Sequence, residues 1–199
     1  MTAKTPAPSE REQVARAVRR NIGSRIIVYG PSGSGKTTVS RQIGELLQLP
    51  VIELDALFHQ PNWEPTPDDE FREKVLAALD RHEDGWVCDG NYSRVRDDVL
   101  PRAETVIWLR PPFIVTYWRL LKRTIGRALT REVLWGTNRE SWRLAFFSRD
   151  SILLWGITNW RPHQRKTKEA LAEIPHNAQV MELHSQRAVE ELLSGLEVG

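Results

Sequence analysis

Eight consecutive residues, 30 to 37 (GPSGSGKT), place glycine, lysine and threonine in the pattern GxxxxGK followed by Ser or Thr. Glycines at 30, 33 and 35 let the main chain turn tightly and approach a ligand closely, so successive amides can surround an anion. Lys36 supplies a mobile positive charge for the β and γ phosphates of a nucleoside triphosphate, and the Thr37 hydroxyl is suited to a Mg²⁺ ion bridging them. The chemistry implied is the binding of MgATP, with Gly30, Ser32, Gly33, Ser34, Gly35, Lys36, Thr37 and Thr38 as donor-side contacts.

Such a loop works only between a strand and a helix whose N-terminus faces the phosphates. Both are readable here. RIIVY (25–29) precedes the loop, and a helical period over 36–47 follows it. The same alternation continues through PVIEL, a helix over 67–81, WVCD, TVIWL, a long helical region, AQVMEL and a last helix over 187–193. Strands alternating with helices predict right-handed βαβ units in an α/β fold: five parallel strands, nearly continuous in Val, Ile and Leu, with helices on both faces. Thr66 is read as the N-cap of the 67–81 helix, with Pro67 in its first turn, and Phe71, Val75 and Leu79 are read as its sheet-facing side.

Ligands of open α/β sheets bind beyond the carboxyl ends of the strands. Asp55, closing PVIEL, is placed to accept the proton of an acceptor hydroxyl or to orient Mg²⁺ water, and Asp89, closing WVCD, to hold Mg²⁺ with Thr37. Both aspartates also fit helix-capping or turn roles. Arg119, Arg123 and Arg127 recur every four residues after TVIWL and form one stripe, opposite an apolar face of Ile114, Trp118, Leu121 and Ile125. Each like-charged pair costs about 0.2–0.5 kcal/mol, so the stripe anticipates an anion.

The charge distribution agrees. Residues 110–170 hold 13 of the 28 Lys and Arg but 4 of the 26 Asp and Glu, whereas the whole chain is only +2. At 199 residues one domain is expected. Residues 1–22 read as a tail and a short helix, with Ser9 and Glu12 as its capping box, and residues 23–199 as the folded domain. The absence of a long apolar run points to a cytoplasmic protein without membrane association. Cys88 is the only cysteine and lies in a strand, and the five histidines lack ligand spacing, so a structural metal is not expected. Of eight tryptophans, Trp86, Trp108 and Trp118 read as packing, and Trp63, Trp135, Trp142, Trp155 and Trp160 fall in less regular stretches.

With these residues in place, the chain resembles the adenylate-kinase-like P-loop kinases, more narrowly the small bacterial adenylate kinase-related or DNA topology modulation (FlaR-like) proteins. The likeness covers roughly residues 25–193 and rests on ELDALFHQPNW (53–63), DGNYSR (89–94) and TNRESW with SRDSILLW (137–155), besides the general loop motif. It implies a nucleotide-kinase-like fold with strand order 2-3-1-4-5, an acceptor segment over about 55–85 and a helical lid over about 128–160. Pro112, Arg119 and Arg123 look like that superfamily's proline followed by two lid arginines, which implies ATP and phosphate contacts. DGNYSR is similar to the acceptor-site signature DGxPR, with the arginine one residue later, so Arg94 is an acceptor-side candidate. Arg139, Arg143 and Arg149 are lid candidates. The Asp55 arrangement looks more like shikimate- or gluconate-type kinases, whose acceptor is a hydroxyl.

The expectation is an ATP-dependent phosphotransferase using Mg²⁺. Lys36, Asp55, Arg123 and Arg127 would be catalytic, Arg119 would join the loop on the nucleotide, Asp55, Asp89, Arg94 and Arg139 would meet the acceptor, and Thr37 and Asp89 would hold the metal. Rival readings are a regulatory NTPase that binds nucleic acid and a nucleotide sensor without transfer. The acceptor, the purine and the oligomeric state are left open by these residues.

Overall fold

The computed structural model describes residues 22–130, 133–134, 138–139 and 152–197. Its centre is β1 (Arg25–Tyr29), in which Ile26, Ile27 and Val28 have no solvent exposure. Chain order continues with α1 (Lys36–Leu47), β2 (Val51–Glu53), α2 (Leu54–Phe58), α3 (Asp68–Asp80), β3 (Trp86–Asp89), α4 (Arg96–Val99), β4 (Thr105–Leu109) and α5 (Phe113–Thr130). A two-residue antiparallel pair, β5 (Val133–Leu134) and β6 (Asn138–Arg139), precedes α6 (Ile152–Glu173), β7 (Gln179–Leu183) and α7 (Gln186–Glu197).

The main sheet has five parallel strands in the order β2-β3-β1-β4-β7, which is the expected 2-3-1-4-5 arrangement. Strands buried on both faces divide their side chains between two cores. Ile27, Cys88, Val106 and Trp108 meet Phe71, Val75 and Leu79 of α3, while Ile26, Val28, Val87 and Ile107 meet α1 and α7. Register decides the height of the strand ends. Val28 is level with Asp89, and Glu53 is level with it from the other side, so the β3 carboxylate stands beside the chain as it leaves β1.

Several local expectations change. β2 stops at Glu53, so Leu54 and Asp55 begin a five-residue helix and Asp55 lies just past the strand rather than closing it. Leu54 is buried, and folding it under β3 requires the chain to turn there. Thr66 does not cap α3: buried under the 59–65 loop, it donates from Oγ1 to the Leu57 carbonyl at 3.0 Å, and the Pro67 carbonyl accepts the first helical N–H at 2.8 Å. Trp160 lies within α6, a helix that carries Pro162 in its interior. α7 is longer than expected, because Leu196 also packs into the core.

The largest correction concerns α5. Of its expected apolar face, Ile114 and Trp118 are 68% and 55% exposed while Leu121 and Ile125 are half-buried, and the buried row is Thr116, Leu120 and Thr124. Close approach explains the reversal. A Cβ at Gly33 would lie 2.4 Å from the Thr116 carbonyl oxygen and 3.1 Å from the Leu120 amide, so the loop packs directly on the helix backbone, where small threonines fit and Trp118 does not. Arg127, one turn beyond Thr124, is consequently half-buried. The proposed helix near Ser9, Arg131, Trp135, Trp142, Arg143 and Arg149 lie outside the described residues. Among the described residues no helix is long and apolar enough to cross a membrane.

Candidate active site

The loop between β1 and α1 is shaped by its glycines. Gly33 and Gly35 have φ of +83° and +95°, a region that L side chains rarely adopt, and Gly35 serves as the N-cap of α1. The Ser34 amide donates to the Pro31 carbonyl at 3.1 Å, closing the turn, and the Val39 amide donates to Gly35 at 3.0 Å, starting the helix. The first-turn amides of α1 have no intrahelical acceptor and face the loop, as an anion cradle requires. Ser32 is half-buried, Ser34 is buried and Thr38 is exposed.

Lys36 donates from Nζ to the Pro31 carbonyl at 3.3 Å across the mouth of the loop. Burial holds its ammonium below the ordinary lysine range; the charges of Asp89 and Asp55 oppose that shift and Arg123 adds to it. Thr37 donates from Oγ1 to Asp89 Oδ2 at 2.6 Å. Asp89 Oδ1 is buried with no hydrogen-bond partner among the described residues. Burial raises the Asp89 carboxyl above the usual range, Lys36 and the Thr37 bond work against the rise, and Asp55 and Glu53 add to it. A desolvated ammonium beside a desolvated, half-satisfied carboxylate is a site whose charges are incomplete without a ligand. A polyphosphate at Lys36 and a divalent cation at Thr37 and Asp89 would satisfy both, and hard oxygen donors of this kind suit Mg²⁺.

α5 supplies the cations. The Arg119 Nη1 lies 3.8 Å from where a Gly35 Cβ would stand, so the guanidinium overhangs the loop, and its Nη2 donates to Gln186 Oε1 at 3.0 Å. Arg123, one turn later, is close enough to act on Lys36 electrostatically. Arg127, four residues beyond Arg123, is half-buried and makes contacts of its own.

On the opposite flank Asp55 Oδ1 accepts a 2.6 Å hydrogen bond from the Tyr92 hydroxyl. The Tyr92 ring packs on Phe58 and Phe71, with centroids 4.8 and 5.2 Å away. Arg94 is engaged: its Nε lies 3.0 Å from Asp68 Oδ1 and its guanidinium lies over the Phe58 ring, 5.2 Å from the centroid. The β6 strand carrying Arg139 lies against the 3₁₀ turn Pro61–Trp63, the turn that follows α2 and Asp55. Within this turn Trp63 has φ +62°, a sparsely populated conformation for a bulky residue.

Lys36, Thr37, Asp89, Asp55, Arg119 and Arg123 therefore converge, whereas Arg94 is held by its ion pair with Asp68. Sequence reasoning missed four participants. Asn91 Nδ2 donates to Thr167 Oγ1 at 2.7 Å, and Asn91 Oδ1 accepts from Arg96 Nε and Nη2 at 3.0 and 2.6 Å. His163 of α6 lines a small apolar cavity with Pro31, Ser32 and Trp160, and burial, then the charges of Lys36 and Arg96, hold its imidazole down at about 4. Asn91 and Tyr92 belong to the DGNYSR string and were readable there. His163 and Thr167 have no local signal.

No family model matches the chain. Among curated proteins, the ATP-dependent protease ATPase subunit HslU1 of Trypanosoma brucei brucei is 26% identical over 125 residues, 50% of this chain and 26% of that protein, so the chain spans about a quarter of that relative's length. Among solved structures, a gluconokinase from Sinorhizobium meliloti 1021 superposes with a TM-score of 0.51 at 21% identity, covering 89% of this chain and 93% of the other. A shikimate kinase from Acinetobacter baumannii gives 0.51 at 17% identity with 89% and 92% covered, and one from Bacteroides thetaiotaomicron gives 0.50 at 17% with 85% and 93% covered. The likeness is one of architecture: a five-stranded parallel sheet with flanking helices, the P-loop kinase fold.

Proposed function

We propose that this chain is an ATP-dependent phosphotransferase that moves the γ-phosphoryl group of ATP onto a hydroxyl of a small acceptor. The observation that carries the reading is the grouping of Lys36, the Thr37–Asp89 bond and Asp55 beyond the carboxyl ends of β1, β3 and β2. A sensor needs the first two; a carboxylate on the acceptor side, whose charge reaches both Lys36 and Asp89, is what transfer adds.

In this reading the 30–37 loop and Lys36 bind the polyphosphate, and Arg119 and Arg123 neutralise the charge of the migrating group. Asp55 orients the acceptor hydroxyl and takes its proton as the new O–P bond forms and the bond to the β-phosphate oxygen breaks, leaving ADP. Thr37 and Asp89 would hold Mg²⁺, which supplies positive charge to the phosphates when bound. Residues 128–160 would close over the site, with Arg139 among the groups brought in, and residues 23–199 would form the domain preceded by a tail.

A hydroxyl acceptor without its own phosphate is in keeping with Arg94, the acceptor-side arginine, being paired with Asp68, although that exposed pair is weak enough for a phosphate to displace. The named neighbours, a gluconokinase and shikimate kinases, are in keeping with a hydroxylated acceptor. The 53–63, 89–94 and 137–155 strings favour the adenylate kinase-related group within the fold. Transfer of labelled γ-phosphate across nucleoside monophosphates, nucleosides and hydroxylated acids and sugars tests the proposal; a labelled small-molecule product whose rate of formation falls about 10²-fold or more in Asp55→Asn supports it, and ATP binding with no product from any acceptor overturns it.

One observation favours the nucleic-acid reading: Trp118 is 55% exposed, with Lys122 Nζ 5.2 Å from its ring centroid, an aromatic and cationic pair of the kind that stacks on bases. Steeply salt-dependent binding of single-stranded DNA, lost in Trp118→Ala, would establish it, and no binding at low salt would dismiss it.

A further inference from the structure

The short string 89–94 contributes Asp89 to the donor side and Arg94 to the acceptor rim, and the residue between them that points into the site has no role in the scheme above. That residue is Tyr92. Its hydroxyl lies 2.6 Å from Asp55 Oδ1, 37 positions away in the chain, and so ties the β3 turn to the first turn of α2 at the acceptor carboxylate. The other carboxylate oxygen, Oδ2, takes no part in that bond.

Two features make this contact more than incidental packing. The ring is immobilised from behind: Phe71, which has no solvent exposure, and Phe58 hold it at centroid distances of 5.2 and 4.8 Å, so the hydroxyl occupies a fixed place. Asp55, by contrast, is exposed, in the first turn of a five-residue helix whose N-cap makes no side-chain hydrogen bond. A carboxylate so placed would sample several rotamers, and a stationary phenol selects one of them. Bonds of 2.5–2.7 Å between a hydroxyl and a carboxylate are charge-assisted and among the stronger ones in proteins, roughly twice a neutral pair.

We infer that Tyr92 is a positioning residue for phosphoryl transfer: by holding Asp55 Oδ1 it presents Oδ2 to the hydroxyl, or water, that attacks the γ-phosphate. The inference rests on the phosphotransferase reading. The atoms balance in the same way as before, with the proton of the attacking oxygen passing to Oδ2 and the phenol keeping its own. Burial, and then the negative charge of Asp55, raise the Tyr92 phenol above its ordinary range, so it remains a donor throughout the neutral region. Misplacing a catalytic group by 1 Å can cost about 100-fold in rate, which is the scale of effect a positioning residue controls.

The test is a double-mutant cycle on the full chain, with MgATP as the substrate and water as the attacking oxygen. Tyr92→Phe keeps the ring and its packing, so the fold and the KM for MgATP should be unchanged while kcat for γ-phosphate release falls about tenfold or more. In an Asp55→Asn background the same Tyr92→Phe change should alter kcat by less than about twofold, because the group it positions is already gone. A merely structural tyrosine would lower kcat by the same factor in both backgrounds, and that result, or a Tyr92→Phe protein as fast as the parent, overturns the inference alone. A parent chain that releases no phosphate from ATP with water or with any acceptor sinks the phosphotransferase reading, and this inference with it.

Discussion

In the proposed reading, the donor and acceptor flanks of the site are built in opposite ways. On the donor side, eight contiguous residues make a cradle from main-chain amides, to which Lys36, Thr37 and Asp89, with Arg119 and Arg123 of α5, add side-chain chemistry. On the acceptor side the main chain contributes little: Asp55 comes from α2, Tyr92 from the β3 turn, Phe71 and Asp68 from α3, and their mutual contacts define the surface. A backbone site is specified by a local motif and tolerates divergence around it, whereas a side-chain site changes with any one of its contributors.

The heaviest blow to the donor flank is Lys36→Ala. It should reduce transfer of labelled γ-phosphate by about 10³-fold, the upper end for removing one preorganised charge-stabilising group, with an unchanged melting temperature. Unaltered turnover in that variant would remove the donor assignment altogether. Arg123→Ala should cost about 10²-fold in kcat and leave nucleotide affinity nearly intact, because the charge it supplies is needed most in the transition state. Near-normal kcat would assign that arginine to a structural contact.

Gly33→Ala probes the joint between loop and α5. A Cβ 2.4 Å from the Thr116 carbonyl, at φ +83°, should destabilise the protein by about 1–3 kcal/mol in denaturant titration and weaken MgATP binding in calorimetry. An equally stable protein would show that the loop can move off the helix. The behaviour of His163 is smaller and graded. Its imidazole titrates at about 4 in the folded chain against about 6.5 when unfolded, so between those values the unfolded chain carries a proton that the folded chain lacks. Stability conferred by the neutral ring is therefore complete above about 6.5 and is lost as the pH falls toward 4, at up to about 1.4 kcal/mol per pH unit. The Asp89 carboxyl, shifted upward, contributes with the opposite sign, so the quantity to measure is the flattening of the slope in His163→Gln. An identical slope in both proteins would contradict it.

The mildest change should be Arg94→Ala. The Arg94–Asp68 pair is largely exposed, and such pairs contribute about 0–1 kcal/mol. Stability and acceptor KM should both stay close to the parent values. A tenfold rise in KM would instead mean that Arg94 leaves Asp68 to bind an acceptor phosphate, and the hydroxyl-only acceptor would be abandoned.

What could be read beforehand follows the same division. RIIVY, WVCD and TVIWL appear as strands with the expected bounds, and the 36–47 helix likewise, because each is a short-range pattern of burial and capping. The Gly30-to-Thr37 cradle was legible for the same reason. α5 was misread because its apolar row and its loop-facing row have the same helical period; only the backbone approach of Gly33 shows that threonines face inward and Trp118 outward. The Tyr92–Asp55 and Asn91–Thr167 bonds span 37 and 76 positions, and no local pattern records a partner at that range.

Asn91 carries a mechanical implication. Its side chain grips Arg96 with one end and Thr167 of α6 with the other, while its neighbour Tyr92 grips Asp55. The chain that follows the β5–β6 pair returns through α6, so a tilt of that helix would pull on the same short turn that aims the acceptor carboxylate. Coupling of this kind runs in both directions, so an occupied acceptor flank should stiffen α6 as much as a docked α6 steadies the acceptor flank. Amide hydrogen exchange around Thr167, slowed by acceptor in the parent chain and indifferent to it in Asn91→Ala, would make that linkage visible.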